Sequence, residues 1–90
     1  MEPLRLVLKP SVEKDLRRVP ANMVERLLRA AEGLRCNPHP AGAVKLSGAE
    51  RLYRLRVRDY RIVYEVHAQD RTVTVHYMRH RKDVYRHLYG

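Results

Sequence analysis

Residues 51–90 of this 90-residue chain carry ten arginines and lysines against four acidic residues, whereas residues 1–50 carry nine against six. The excess is patterned. Arg54, Arg56 and Arg58 recur every second residue, so on a strand their side chains leave one face together. Arg61 follows a short turn, and Arg79, Arg81 and Lys82 form a second basic group downstream. If the strands are neighbours, these groups converge on one end of one sheet face. Guanidinium groups bind phosphate bidentately and keep their charge at any working pH. Tyr53, Tyr60, Tyr77, Tyr85 and Tyr89 are interleaved with them and suit stacking on bases. Arginine on a strand face is usually just solvated. A row of like charges side by side is harder to explain that way, because the charges repel. The pattern points to a polyanion site, with RNA favoured over DNA.

Arginine binds phosphate but is a poor base, so proton transfer needs another group. His80 sits inside the second basic group, and a free histidine titrates near ~6.5, in the range acid–base catalysis requires. Glu65 is a second candidate, with pairing to an arginine as its ordinary alternative. His67 and His76 are close enough in the strand pattern to approach each other, but without a third ligand they read as ordinary strand histidines. Cys36 and His39 make half a metal site at most, so no metal and no cofactor are expected. The glycines form no phosphate-binding loop pattern.

The elements that must position these groups can be read from periodicity. Leu4, Leu6 and Leu8 alternate with Arg5, Val7 and Lys9, which predicts a strand closed by Pro10. Ser11 is placed to cap a short helix that Pro20 stops. Asn22, with Glu25 three residues on, predicts the capped start of a second helix. Met23, Leu27, Ala30, Ala31 and Leu34 form its apolar stripe, and Asn37-Pro38-His39-Pro40-Ala41-Gly42 reads as a loop. Three strands follow, over residues 52–58, 60–67 and 71–78, then a short tail or helix over 83–88. The expected fold is α+β: an N-terminal strand, a two-helix hairpin and an antiparallel three-strand meander, in one curved sheet with the helices on one face.

Length and composition bound the rest. Ninety residues suit a single domain spanning 1–90 with one modest core. The formal net charge is +9 and the isoelectric point about 10.3, which calls for a polyanionic partner. The single cysteine excludes an internal disulfide and fits a reducing compartment. No apolar run is long enough for a membrane span or a signal-peptide core, so a cytoplasmic location and no membrane partner are expected.

Two stretches together carry a resemblance: Tyr53-Arg54-Leu55-Arg56-Val57-Arg58-Asp59-Tyr60-Arg61-Ile62-Val63-Tyr64-Glu65-Val66, and His80-Arg81-Lys82-Asp83-Val84-Tyr85. The pair resembles the RelE branch of the RelE/ParE toxin superfamily, and the upstream strand and helical hairpin match its order. The resemblance implies a toxin of a type II toxin–antitoxin system that enters the A site of the 70S ribosome. There it would cleave mRNA by attack of a ribose 2′-hydroxyl on the adjacent phosphate, without metal. It also implies neutralisation by a cognate antitoxin, RelB-like or other, acidic or amphipathic.

Carried onto this chain, the resemblance gives Arg61 the scissile phosphate, Arg81 the leaving 5′-oxygen and Tyr85 a base to stack on. Arg54 falls where members place a lysine that assists the 2′-hydroxyl. The second lysine position, two residues earlier, is Leu52, and Arg79 stands where many members have glycine. The expected catalytic set is Arg54, Arg61, His80, Arg81 and Tyr85, with Arg56, Arg58, Arg79 and Lys82 holding RNA. Two other readings share the fold: a ParE-like inhibitor that acts by binding DNA gyrase, and a non-catalytic RNA- or ribosome-binding domain.

Overall fold

The computed structural model describes residues 2–46, 48 and 51–83. In chain order the elements are β1 (Arg5–Leu8), α1 (Pro10–Leu16), α2 (Ala21–Gly33), β2 (Ala43–Lys45), β3 (Leu52–Val57), β4 (Tyr60–His67) and β5 (Thr72–His80). They build one five-stranded sheet in the order β1-β5-β4-β3-β2. β1 runs parallel to β5, and every other pair is antiparallel. The α+β expectation holds, with one strand added: β2 flanks β3 as a three-residue edge.

The core lies between the helices and one face of the sheet. Met23, Leu27 and Ala31 recur at four-residue spacing along α2 and are buried together with Leu34. They pack on Ile62 and Tyr64 of β4 and on Val73, Val75 and Met78 of β5. Ala30, at the margin of the stripe, is half-buried.

The expected helix caps are not used. α1 begins at Pro10 with Lys9 as its N-cap, and α2 begins at Ala21 with Pro20 there; neither has a side-chain cap. Proline's fixed φ starts a helix without one. Asn22 is inside α2, and Glu25 pairs with Arg29 at 2.6 Å instead of closing a capping box.

Ser11 and Asp15 of α1 have a different task. β1 pairs with β5 only as far as Val75. Beyond that point the backbone edge of β5 would be bare, and buried backbone groups need partners. α1 supplies them from side chains: Ser11 Oγ donates to the His76 carbonyl at 2.6 Å, and Asp15 Oδ2 accepts the Met78 N–H at 3.1 Å. A helix thus stands in for the missing continuation of β1. Among the described residues no helix is long and apolar enough to cross a membrane.

Candidate nucleic-acid interface

The face of the sheet turned away from the helices carries the charged side chains, and the strand register orders them into rows. At one end Arg56 of β3 is opposite Arg61 of β4, and Arg61 is opposite Arg79 of β5. The next row is Arg54, Val63 and Tyr77; the one after is Leu52, Glu65 and Thr74. Leu46, Leu52, Val63 and Tyr77 make a small apolar cluster in the middle of this face. Leu52, the departure noted in the sequence, is packed into that cluster.

The first row places three arginines abreast, an arrangement that repels. Local contacts offset part of it. Arg79 Nε bonds Asp15 Oδ1 at 2.8 Å, and its guanidinium carbon lies 4.0 Å from the centre of the Tyr77 ring. Arg61 is only 4% exposed, and its Nη1 donates to the carbonyls of Arg58 at 3.2 Å and Tyr60 at 3.1 Å. These bonds hold the guanidinium against the β3–β4 turn, ordered before any ligand arrives. Arg56 is exposed and Arg54 half-buried.

Arg58 lies just past β3, in the turn, with φ of 56°. It leaves the alternation that the sequence suggests for it. That φ is uncommon for a side chain as large as arginine. After β5 the chain folds back on the same turn, where the Arg81 N–H donates to the Asp59 carbonyl at 2.9 Å. Arg58 and exposed Arg81 are therefore brought to one corner, with exposed Lys82 adjacent in the chain. Residues 81–83 are helical; Tyr85 and the rest of the expected C-terminal helix lie outside the described residues.

His80 takes the opposite face. It is in register with Tyr60, and the two rings meet edge to face at 5.5 Å. Together with Lys14 of α1 and with Arg17 and Arg18, which follow that helix, they line a groove on the helix side. Arg61, one residue from Tyr60, is on the open face by alternation, whereas Arg79 lies over Tyr77 but turns its Nε to Asp15 of α1 and lines the groove as well.

The open face also joins residues that the sequence suggests separately, Glu65 as a proton acceptor and His67 and His76 as neighbouring strand histidines. Glu65 lies between two imidazoles: its Oε1 is 2.9 Å from His76 Nε2 and its Oε2 is 3.1 Å from His67 Nε2. Arg51 Nη1 approaches the far nitrogen of His67 at 3.5 Å. The His76 hydrogen bond, then the nearby His67 charge, lowers the Glu65 pKa against the opposing effect of burial. Spacing could have placed Glu65 and His67 on one face of β4. His76 joins them through an irregularity at Val63/Tyr64, where the partners of consecutive β4 residues jump from Tyr77 to Val75. His76 is the extra residue of this bulge, and bulges re-aim side chains. Among the described residues no three His, Cys, Asp or Glu side chains are arranged to hold a metal ion. Asp15 was also missed; its signal was an acid three residues from Val12 on the buried stripe of α1.

Known proteins share this architecture. The family model for the ParE toxin of the type II toxin–antitoxin system parDE matches residues 6–85. A curated relative, RelE1 of Methanocaldococcus jannaschii, is 28% identical over 78 residues, covering 83% of this chain and 87% of its own. The archaeal RelE–RelB complex from Pyrococcus horikoshii OT3 superposes with a TM-score of 0.77 at 28% identity, over 88% of this chain and 96% of the matched one. The isolated E. coli RelE toxin matches in fold with a TM-score of 0.74 at 22% identity, over 94% and 99%. With its helix pair, five-stranded sheet and matched span, this chain belongs to the RelE/ParE superfamily, as a toxin of a type II toxin–antitoxin system.

Proposed function

We propose that the chain is a ribosome-dependent mRNA endonuclease that acts in the A site. The observation that carries this reading is the row Arg56, Arg61 and Arg79 in register on the open face, with Arg54 behind it and Arg81 tied to the same turn. Like charges set side by side destabilise the free protein and suit a face that meets a phosphate chain. In this reading Arg61 and Arg54 hold the scissile phosphate and its developing charge, and Arg81 stabilises the leaving 5′-oxygen. Tyr85 stacks on a base, and Arg56, Arg58 and Lys82 hold the flanking strand. Arg79, already bound to Asp15 and Tyr77, stiffens the row and adds charge. Some solved relatives are complexes of RelE with RelB. A cognate acidic or amphipathic antitoxin covering this basic face is part of the proposal.

The test is primer extension on an mRNA under translation in a cell-free system, with the purified chain and an Arg81→Ala variant. Cuts that require ribosomes, and weaken roughly 10²–10³-fold in the variant, are the expected result. The match to the ParE family model favours a second reading, inhibition of DNA gyrase by binding. Intact message together with blocked supercoiling would establish it and exclude the nuclease.

A further inference from the structure

The proposed reaction needs a group to take the proton of the 2′-hydroxyl, and no arginine of the open face can do this. His80, the candidate nearest the basic group in sequence, faces the helices with Tyr60. We propose that His76, aligned by Glu65, is the general base of this active site. The inference rests on the nuclease reading and names a residue for its missing step.

Three observations carry it. The first is face: the bulge turns His76 onto the open side, where it meets Glu65. The second is tautomer. Ionised Glu65 can only accept, so the hydrogen of His76 sits on Nε2 and the lone pair on Nδ1. A carboxylate that fixes an imidazole in this way also stabilises the imidazolium formed when the base accepts a proton. His67 Nε2, on the other oxygen, and Arg51 behind it keep Glu65 ionised and in place. The third is position. Arg54 is opposite Val63, so Arg61 and Glu65 are its two diagonal neighbours on β4. Diagonal neighbours lie about 7–8 Å apart, within reach of a long side chain. Arg54 therefore stands between Arg61 and the dyad, so that a phosphate it holds is within reach of both sides.

In the step, His76 Nδ1 takes the 2′-hydroxyl proton as that oxygen attacks the adjacent phosphorus. The P–O5′ bond breaks and leaves a 2′,3′-cyclic phosphate on the upstream fragment. Water protonates the departing 5′-oxygen, and the hydroxide so formed recovers the proton from His76. Glu65 and His67 are positioning residues. Among the described residues, Glu65 of β4 faces His76, His67 holds the other oxygen of Glu65 with Arg51 behind it, and His76 has Tyr77 beside it in the chain. α1 contributes the hydroxyl of Ser11 on its carbonyl.

The experiment is single-turnover cleavage of mRNA on ribosomes with an empty A site, from acid to alkaline pH, by the full chain and by His76→Gln. Glutamine keeps a nitrogen donor for Glu65 but has no lone-pair nitrogen. Expected are a loss of roughly 10²–10⁴-fold and disappearance of the acid limb of the pH–rate profile. A His76→Gln chain with the wild-type rate and acid limb overturns the proposal and leaves the nuclease reading intact. A wild-type chain that never cuts overturns both. If His76→Gln does not fold, Glu65→Gln takes its place. Loss of the adjacent negative charge disfavours the imidazolium, so its slower cleavage should show an acid limb moved to lower pH. An unmoved limb overturns the proposal.

Discussion

The two faces of the sheet, built from the same strands, solve opposite problems. Toward the helices, Ile62, Tyr64, Val73, Val75 and Met78 close against α2. On the other side, separated only by the alternation of the strands, Arg56, Arg61 and Arg79 stand in line. The first face lowers the free energy of the folded chain. The second raises it, and local devices such as the Asp15–Arg79 pair and the carbonyl contacts of Arg61 only partly offset the repulsion. Burial therefore reports what holds the molecule together, and like charges set in one row report where a ligand is expected.

The largest effect should come from breaking the helix-facing side. Leu27 is fully buried at the centre of the α2 stripe. Leu27→Ala should lower stability by about 2–5 kcal/mol, through lost burial plus the cavity left behind. Urea unfolding followed by circular dichroism measures it. A loss well below 1 kcal/mol would mean that the face collapses around the gap and is not closely packed.

How far each face could be read from sequence follows the same division. Met23, Leu27 and Ala31 were legible because helical spacing needs only local residues, and the alternation through Tyr53, Leu55 and Val57 marked β3 in the same way. β2 was not legible, because three residues, Ala43–Lys45, carry no period. The row of arginines was half-legible: alternation aligned Arg54 and Arg56, but only the register sets Arg61 between Arg56 and Arg79. Arg58 left the row because the turn begins one residue sooner than alternation suggests. Asp15 was hidden because its partners, Met78 and Arg79, lie 63 and 64 residues away. An approach of His76 to His67 was legible, but its pairing with Glu65 was hidden, because a bulge breaks the period that any reading of strand faces assumes.

A middle-sized effect tests the margin of the core. Tyr64 is buried and donates its hydroxyl to the Pro38 carbonyl at 2.7 Å, which ties the loop after α2 to β4. Burial, with Tyr53 stacked beside it, pushes its pKa up from 10.0 to about 12. A pKa raised on folding means the neutral phenol is favoured in the native state. Its contribution is complete below pH 10.0 and is lost as pH rises toward about 12. Tyr64→Phe should cost about 1 kcal/mol near neutrality. Measured from pH 8 to 12, the gap between wild type and variant should narrow on the alkaline side. A constant gap would mean that Tyr64 ionises no differently in the unfolded chain.

The smallest stability effect belongs to the open face, and it separates the two faces most sharply. Arg56 is exposed and opposite Arg61. Removing a like charge from such a pair relieves repulsion, so Arg56→Ala should change stability by no more than about 0.5 kcal/mol, toward greater stability if at all. RNA binding should respond differently. Each phosphate contact on a single strand contributes about 0.7 to the slope of log affinity against log salt, so the variant should bind more weakly with a slope shallower by about that amount. Fluorescence anisotropy of a labelled oligoribonucleotide over a salt series measures both quantities. Stability held with the slope reduced would show a face kept for its ligand at the fold's expense. An unchanged slope would take Arg56 out of the interface and leave its charge a solvated one, and the row would shrink to Arg61 and Arg79, both already held by contacts within the protein.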